Sequence, residues 1–478
     1  NRRIFRHKPK MNLCSIQESN DIPKEAIEYL VSVKETELEK HFHREDVEYL
    51  IEVFHDAKEY GSILDVKKID FDALEKRIEE IRNNVPEDLF ELQYREIILE
   101  KIPPLIQQAK IMSQKYDVVC TNPPYMGNMP TKITDYIINS YVDYRHDLYS
   151  VFIKKGFNLL KKDGYQAMIT GESWLFLKSF EKMRREYIKH YRLLSLNHLG
   201  TGAFEVGFGT VAFVFCKQKV DLYKTKCIAL NSTNIKDKNI EFKLLKRKNI
   251  FIKCDTTNLL RIPGAPLAYW VSDNIINTFK YKNLSSTITT KAGIVTGNND
   301  KFMRLWFEVD FQGIEFNSKY YSQTPNLKWV PTHKGGGYRK WYGNLEYIVN
   351  IKDIWDDSKV SKSVRRGDID YYFKEGITWS TLANILGARK SDSGFVCDTK
   401  GSMAFPIKNE NYILGLINSR FASIIMEILS PTLDFNKGYI EKIPYKHIQS
   451  EAIENKVINS VNISRLDWDS FETSWDFK

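Results

Sequence analysis

The chain has little of what would settle its class at once. Six cysteines stand among 478 residues (Cys14, Cys120, Cys216, Cys227, Cys254 and Cys397), and no two form a C-x-x-C pair. That argues against a disulfide-stapled scaffold or a cysteine-ligated zinc ribbon, and fits free thiols in a reducing, cytoplasmic compartment. The nine histidines form no H-E-x-x-H pattern, so a zinc-peptidase helix is excluded, and His41-Phe42-His43 reads as part of a solvated helix. No apolar run reaches the roughly 18 residues of a membrane-crossing helix, so no membrane partner is expected. There is no internal repeat, no low-complexity tract and no P-D-x(n)-D/E-x-K nuclease cluster. "KDIWDDSKVSK" sets Asp356 and Asp357 near Lys359, but as a lone charged helix segment it reads as surface. Excess charge is small: 70 Lys+Arg against 61 Asp+Glu leave a formal +9, compatible with a nucleic-acid partner without requiring one.

What is present is length and order. A chain of 478 residues predicts two or more domains with a large core. It opens on Asn1 and not Met, which reads as a piece of a longer protein. After a basic start, residues 11–17, "MNLCSIQ", predict a strand. Residues 22–115 carry apolar residues at i, i+3, i+4 and predict helices. From there the pattern alternates: a buried strand at Val118-Val119-Cys120, a helix over 147–164, a strand in "YQAMIT", a helix in "SFEKMRREYIKHY", then strands in "RLLSLNHL" and "TVAFVFCKQ". Strand–helix–strand alternation implies a parallel sheet with helices on both faces, and ligands beyond the carboxyl ends of its strands. Past residue 220 segments shorten. "KLLKRKNIFIK" is basic, Pro263-Gly264-Ala265-Pro266 reads as a linker, and a mixed α/β region follows from Ser285.

The chemistry concentrates in "YDVVCTNPPYMGN", residues 116–128. Pro123 and Pro124 end the strand, fix their own φ and restrain Asn122, which leaves a stiff loop at the strand's carboxyl end. An exocyclic amine of adenine is a poor nucleophile because its lone pair is delocalised into the ring. Acceptors on its two N–H bonds favour the pyramidal form that takes a methyl group; Asn122 can supply a carboxamide oxygen and the backbone a carbonyl. Tyr125 offers a π-face to a base swung out of a duplex. Unstacking costs a few kcal/mol, and an aromatic stack returns roughly 1–3 kcal/mol. The same tetrapeptide could also hold a glutamine side chain, as in release-factor methyltransferases, but those lack a large appended domain like the one after residue 285.

Taken together, "FHDAKEYGSIL", "CTNPPYMGN", "SWLFLKSFEKMRREY", "HLGTGAF", "HKGGGYRKWYGN", "FKEGITWS" and "SPTLDFNKGYIEKIP" resemble the adenine-specific DNA methyltransferase of bacterial BREX phage-defence systems (PglX), related to type IIG restriction–modification enzymes. The resemblance runs over roughly residues 11–445. It implies an α/β chain: the C-terminal part of a Rossmann-like methyltransferase domain over 1–220 with a helical insertion at 22–115, a connector over 221–284, and a mixed α/β target-recognition domain over 285–478. It further implies N6 methylation of a flipped adenine in double-stranded DNA, with Asn122, Pro123, Pro124 and Tyr125 catalytic, S-adenosylmethionine as donor, and other phage-defence proteins as partners. The donor's glycine-rich loop is expected upstream of Asn1, because "LNHLGTGAFEVGFGT" is followed by a β-run and not by a helix. That segment instead reads as a loop over the target base, with Phe204 as a pocket wall. Gln17 and Asn20, with Asn122, are placed near the donor. In the second region Gly335, Gly336 and Gly337 between Lys334 and Arg339-Lys340 read as a flexible cationic loop for phosphate, with Arg365 and Arg366 as guanine readers. Trp329, Trp341 and Trp379 read as core. Two alternatives stay open: a DNA-binding or partner-docking fragment inactive by itself, and the methylase part of a type IIG enzyme.

Overall fold

The helical spacing between residues 22 and 115 becomes α1 (Lys24–Val31), α2 (Glu37–Val53), α3 (Ala57–Tyr60), α4 (Phe71–Asn83) and α5 (Leu89–Ser113) in a computed structural model. The structure describes residues 11–32, 37–204, 206–218, 223–234, 237–319, 328–431 and 434–477. Asp70 caps α4 by accepting from the Ala73 amide, and Asp88 caps α5 by accepting from Phe90 and Glu91. Pro103 and Pro104 lie inside α5, yet the helix continues. Each proline forfeits a backbone bond. Ile98, Ile102, Leu105, Ile106 and Ala109 offset that loss by packing into one buried core with Leu50, Phe54, Leu74 and Ile78. The strand expected over residues 11–17 does not form. At Gln17 a side chain does the work of a neighbouring strand: Gln108 accepts from the Gln17 amide at 2.8 Å and donates to its carbonyl at 3.0 Å.

The chain separates into two compact units between Thr257 and Asn258, inside the stretch read as a connector. The first unit continues with α6 (Thr131–Ser140), α7 (Leu148–Leu159), α8 (Glu181–His190) and α9 (Lys238–Arg247). They accompany a six-stranded sheet among the described residues: β1 (Tyr116–Thr121), β2 (Leu160–Gly171), β3 (Arg192–Gly200), β4 (Thr210–Cys216), β5 (Thr225–Ala229) and β6 (Ile252–Cys254), in the order β1-β2-β4-β3-β5-β6. β1 runs parallel to β2, and β3 to β5, but β4 lies antiparallel between β2 and β3. The sheet is therefore mixed, which corrects the parallel reading. β3 and β4 are joined as a hairpin, and a hairpin return is antiparallel by construction. β1 is also not buried as expected: among the described residues it is an edge strand, and Val118 is 58% exposed. The helix expected to reach residue 164 stops at Leu159, because Leu160 turns extended and pairs with Tyr116.

The second unit holds two four-stranded sheets among the described residues. Its strands are β7 (Ile288–Lys291), β8 (Met303–Leu305), β9 (Trp329–His333), β10 (Tyr347–Asn350), β11 (Gly376–Trp379), β12 (Ala388–Ser391), β13 (Val396–Cys397) and β14 (Met403–Pro406). The orders are β13-β9-β10-β8 and β12-β11-β14-β7. Trp379 is fully buried, its indole N–H bonded to the Phe435 carbonyl at 2.7 Å. Pro263–Pro266 is not an exposed linker: Ala265, Pro266 and Leu267 are buried, with Ala265 in the left-handed region at φ 46°. No single described helix is long and apolar enough to cross a membrane.

Candidate functional site

Asn122 follows the last residue of β1 and is exposed at the strand's carboxyl end. Pro123 is buried beneath it, and Pro124 is exposed. The Tyr125 hydroxyl donates toward the Asn122 carboxamide oxygen at 2.7 Å and lies 3.2 Å from the Ile169 carbonyl. A phenol has one proton, so the shorter bond holds it, and that bond fixes which way the carboxamide faces. Partial burial pushes the Tyr125 phenol up, so it remains a donor at neutral pH. A carboxamide oxygen has two lone pairs, so this bond leaves one uncommitted on an exposed residue.

Two rings frame Tyr125. Phe208 meets it edge-on at 5.3 Å between centroids, and Tyr149 at 6.3 Å. Tyr149 is itself fixed by stacking on Phe180 and by a 2.7 Å bond to the Ser173 hydroxyl. Gly171, the last residue of β2, has room for little else: a Cβ there would stand 3.3 Å from Tyr149 and 3.7 Å from Phe208.

The loop beyond Tyr125 is locked from the far side. Asp147 caps α7 by accepting from the Tyr149 amide at 3.2 Å and also accepts from the Met126 amide at 3.0 Å. The Leu148 amide answers by donating to the Met126 carbonyl at 3.0 Å. Desolvation raises the Asp147 carboxyl, and the three amides at Met126, Tyr149 and Leu148 oppose it. Asp147→Ala is expected to cost about 0.5–2 kcal/mol in stability, as loss of a helix cap does. Asp147→Asn keeps an acceptor in place and should restore most of it; thermal melts of the two variants check this.

One strand over, Glu172 and His198 form a pair at 2.8 Å, and the Glu172 amide donates to Gly209 at 2.9 Å. A Cβ at Gly209 would meet the Glu172 carboxylate at 2.1 Å, so a larger residue there would have to displace Glu172 from His198. Neither Phe208 nor this pair was singled out from the sequence. The only hint was that Glu172 directly follows a strand. Phe204, read as a pocket wall over the target, instead borders a separate cavity with Asn197 and Phe242, while its neighbour Phe208 meets Tyr125.

Residues 18–204 match the family model described as Eco57I restriction-modification methylase. The "Adenine-specific methyltransferase BrxX" of Escherichia coli O9:H4 (strain HS) is 33% identical over 436 residues, 89% of this chain and 35% of that protein. The chain is a homologue of the BrxX and PglX methyltransferases. The "Adenine-specific methyltransferase PglX" of Lacticaseibacillus casei (strain Zhang) is 32% identical over 89% of this chain and 37% of its own length. The chain thus spans about a third of the length of these BrxX and PglX relatives. Among solved structures, the Type IIL restriction-modification enzyme MmeI in complex with DNA aligns with a TM-score of 0.47 at 9% identity, covering 77% of this chain and 51% of that one.

The remaining residues singled out from the sequence fall into two groups. Gln17 and Asn20 are bonded within the helical region: Gln17 to Gln108 and Ser15, and Asn20 to Asp56 through both its amide nitrogen (2.9 Å) and its oxygen (2.8 Å). In the second unit, Arg339 is ion-paired to Asp467 and lies 5.0 Å from the Trp468 ring, and Lys340 donates to the Asn418 carbonyl at 2.8 Å. Lys334 sits 4.3 Å over Tyr347 and Arg366 3.9 Å over Trp355. Arg365 is exposed and has no ion-pair partner among the described residues; only its backbone is tied, to Val295. Gly335 and Gly336 serve close packing more than flexibility. Both have positive φ (98° and 106°), and a Cβ would meet the Lys400 carbonyl or the Asn344 side chain at 2.9 Å.

Proposed function

We propose that this chain carries the target-base half of an S-adenosylmethionine-dependent DNA adenine-N6 methyltransferase of a phage-defence system, on part of a Rossmann-like sheet, with the second unit as its target-recognition domain. The observation that carries the reading is the exposed Asn122 carboxamide, its oxygen oriented by Tyr125 at 2.7 Å on a proline-stiffened loop at a strand end. An everted adenine brought to this loop would place its amine against the open lone pair of Asn122, with a backbone carbonyl of the loop as second acceptor. Both acceptors withdraw the N–H protons from the ring plane and expose the nitrogen lone pair. Tyr125, with Phe208 and Tyr149 at its edges, gives the purine a face to rest on.

S-adenosylmethionine would supply the methyl group from outside these residues. Of the three assigned to it, Asn122 is exposed at the strand end, whereas Gln17 and Asn20 are engaged within the helical region and are given no step. In the second unit, Arg365 is the strongest base-reading candidate, since Arg339 and Lys340 already bind their own chain. DNA would be met in the cytoplasm. The test is transfer of labelled methyl from S-adenosylmethionine to DNA by the intact protein, with methylation-aware sequencing of cells with and without the gene. N6-methyladenine at one short recurring site is the expected product. Label on a protein glutamine, or on cytosine, would overturn the reading.

A further inference from the structure

The loop between β3 and β4 serves two places. Phe208 near its end meets Tyr125, while Phe204 near its middle borders a cavity of about 320 Å³ on the side of α9. Phe242 of α9 supplies a second ring, Leu199 and Ala212 are part of the lining, and Asn197 and Asn239 contribute amides. Neither Asn197 nor Asn239 has a side-chain partner among the described residues. The cavity therefore offers apolar and aromatic surface with a few hydrogen-bonding groups at its border, and has room for one planar heterocycle.

What lies next to it is basic. Lys243 and Lys246 stand one helical turn beyond Asn239 and Phe242, so they extend the same stretch of α9. Arg247 and Lys248 follow. All four are exposed, and none has an ion-pair partner among the described residues. This is the basic segment that the sequence shows and that the Asn122 site leaves unused. An aromatic-walled slot beside a row of unpaired cations suits a nucleic-acid strand, with base in the slot and phosphates along the helix.

We infer that this cavity receives a second unpaired nucleobase of the DNA, distinct from the one presented to Asn122, with Lys243 and Lys246 contacting the flanking phosphates. The inference rests on the DNA-methyltransferase reading above. Everting one base leaves a neighbour or an opposite base without its stack. A loop that carries Phe208 toward the target and Phe204 toward this cavity ties the two events together.

The test is photocrosslinking and binding with the purified chain. The probe is a 20-nucleotide mixed-sequence single strand carrying 5-iodouracil in place of thymine. The expected crosslinks fall on Phe204 or Phe242, read by mass spectrometry. Phe242→Ala should weaken binding roughly 5- to 150-fold, the value of one base–aromatic stack. Phe242→Leu, which keeps the apolar packing but removes the π-face, should lose most of the same. Lys243→Gln with Lys246→Gln should reduce the log–log salt slope by about 1.4, two single-strand phosphate contacts. Crosslinks confined to other residues, with unchanged affinity in both Phe242 variants, would overturn this inference and leave the Asn122 reading standing. An Asn122→Ala control that still crosslinks Phe242 separates the two sites. Failure of the unaltered chain to bind any DNA would overturn both.

Discussion

On the proposed function, Asn122→Ala is expected to lower methyl transfer by about 10²–10³-fold, the usual loss when one preorganised group facing a reacting centre is removed. The variant should fold normally, because the side chain is exposed and its bond to Tyr125 closes no core. On that proposal DNA affinity should change by no more than a few-fold, because a contact realised mainly in the transition state adds little to ground-state binding. Asn122→Asp is the more informative partner. It keeps an oxygen for the Tyr125 hydroxyl and another for the amine, so part of the rate should survive. Tyr125→Phe keeps the ring but frees the carboxamide to turn, and should fall between wild type and Asn122→Ala. Single-turnover rates with unmodified DNA rank the variants. Equal rates for wild type and Asn122→Ala would remove the carboxamide from the mechanism.

The second large effect is on stability at low pH. His333 is fully buried in the second unit, stacked 4.5 Å from Phe395, with Nε2 bonded to the Ser391 hydroxyl at 2.7 Å and Nδ1 without a hydrogen-bond partner among the described residues. Burial, with the Arg389 charge beside it, pushes the imidazole down to about 3 from an ordinary 6.5. A group whose folded value is depressed stabilises the fold above its unfolded value, and that stability is lost as pH falls. The window therefore opens near pH 6.5 and runs toward 3. Within it the unfolded chain binds one more proton, so stability should drop by about 1.4 kcal/mol per pH unit from this group alone. Carboxylates titrate over part of the same range, so the useful quantity is a difference. The stability advantage of wild type over His333→Gln should shrink steadily between pH 6.5 and pH 4.5 in urea unfolding. A constant difference would mean that the imidazole reaches water in the native state.

The elements most visible in the sequence were those dictated locally. Helices between residues 22 and 115 follow from spacing, and the loop at Asn122 follows from Pro123 and Pro124 ending a run of β-formers. Pairing across distance was not visible. Nothing in "TVAFVFC" says that it slots between β2 and β3, or that β1 has no neighbour on its outer side among the described residues. The same limit governs charge. Arg339 and Lys340 read as available cations, yet their partners lie 128 and 78 residues away. Phe204 and Phe208 look equivalent in a glycine-rich loop, and only the hairpin register decides which one meets Tyr125. Asp147 could be read as a helix cap, but its bond to Met126 needed the loop to fold back onto α7.

The outer edge of β1 has a practical side. Among the described residues no strand pairs with it on that side, and Val118 and Cys120 are open to solvent. Such an edge recruits extended peptide from any nearby copy, so concentrated preparations of this chain should tend toward oligomers and slow precipitation. Val118→Lys places a charge on that rim and should raise the monomer yield on size-exclusion chromatography, without touching a single side chain around Asn122.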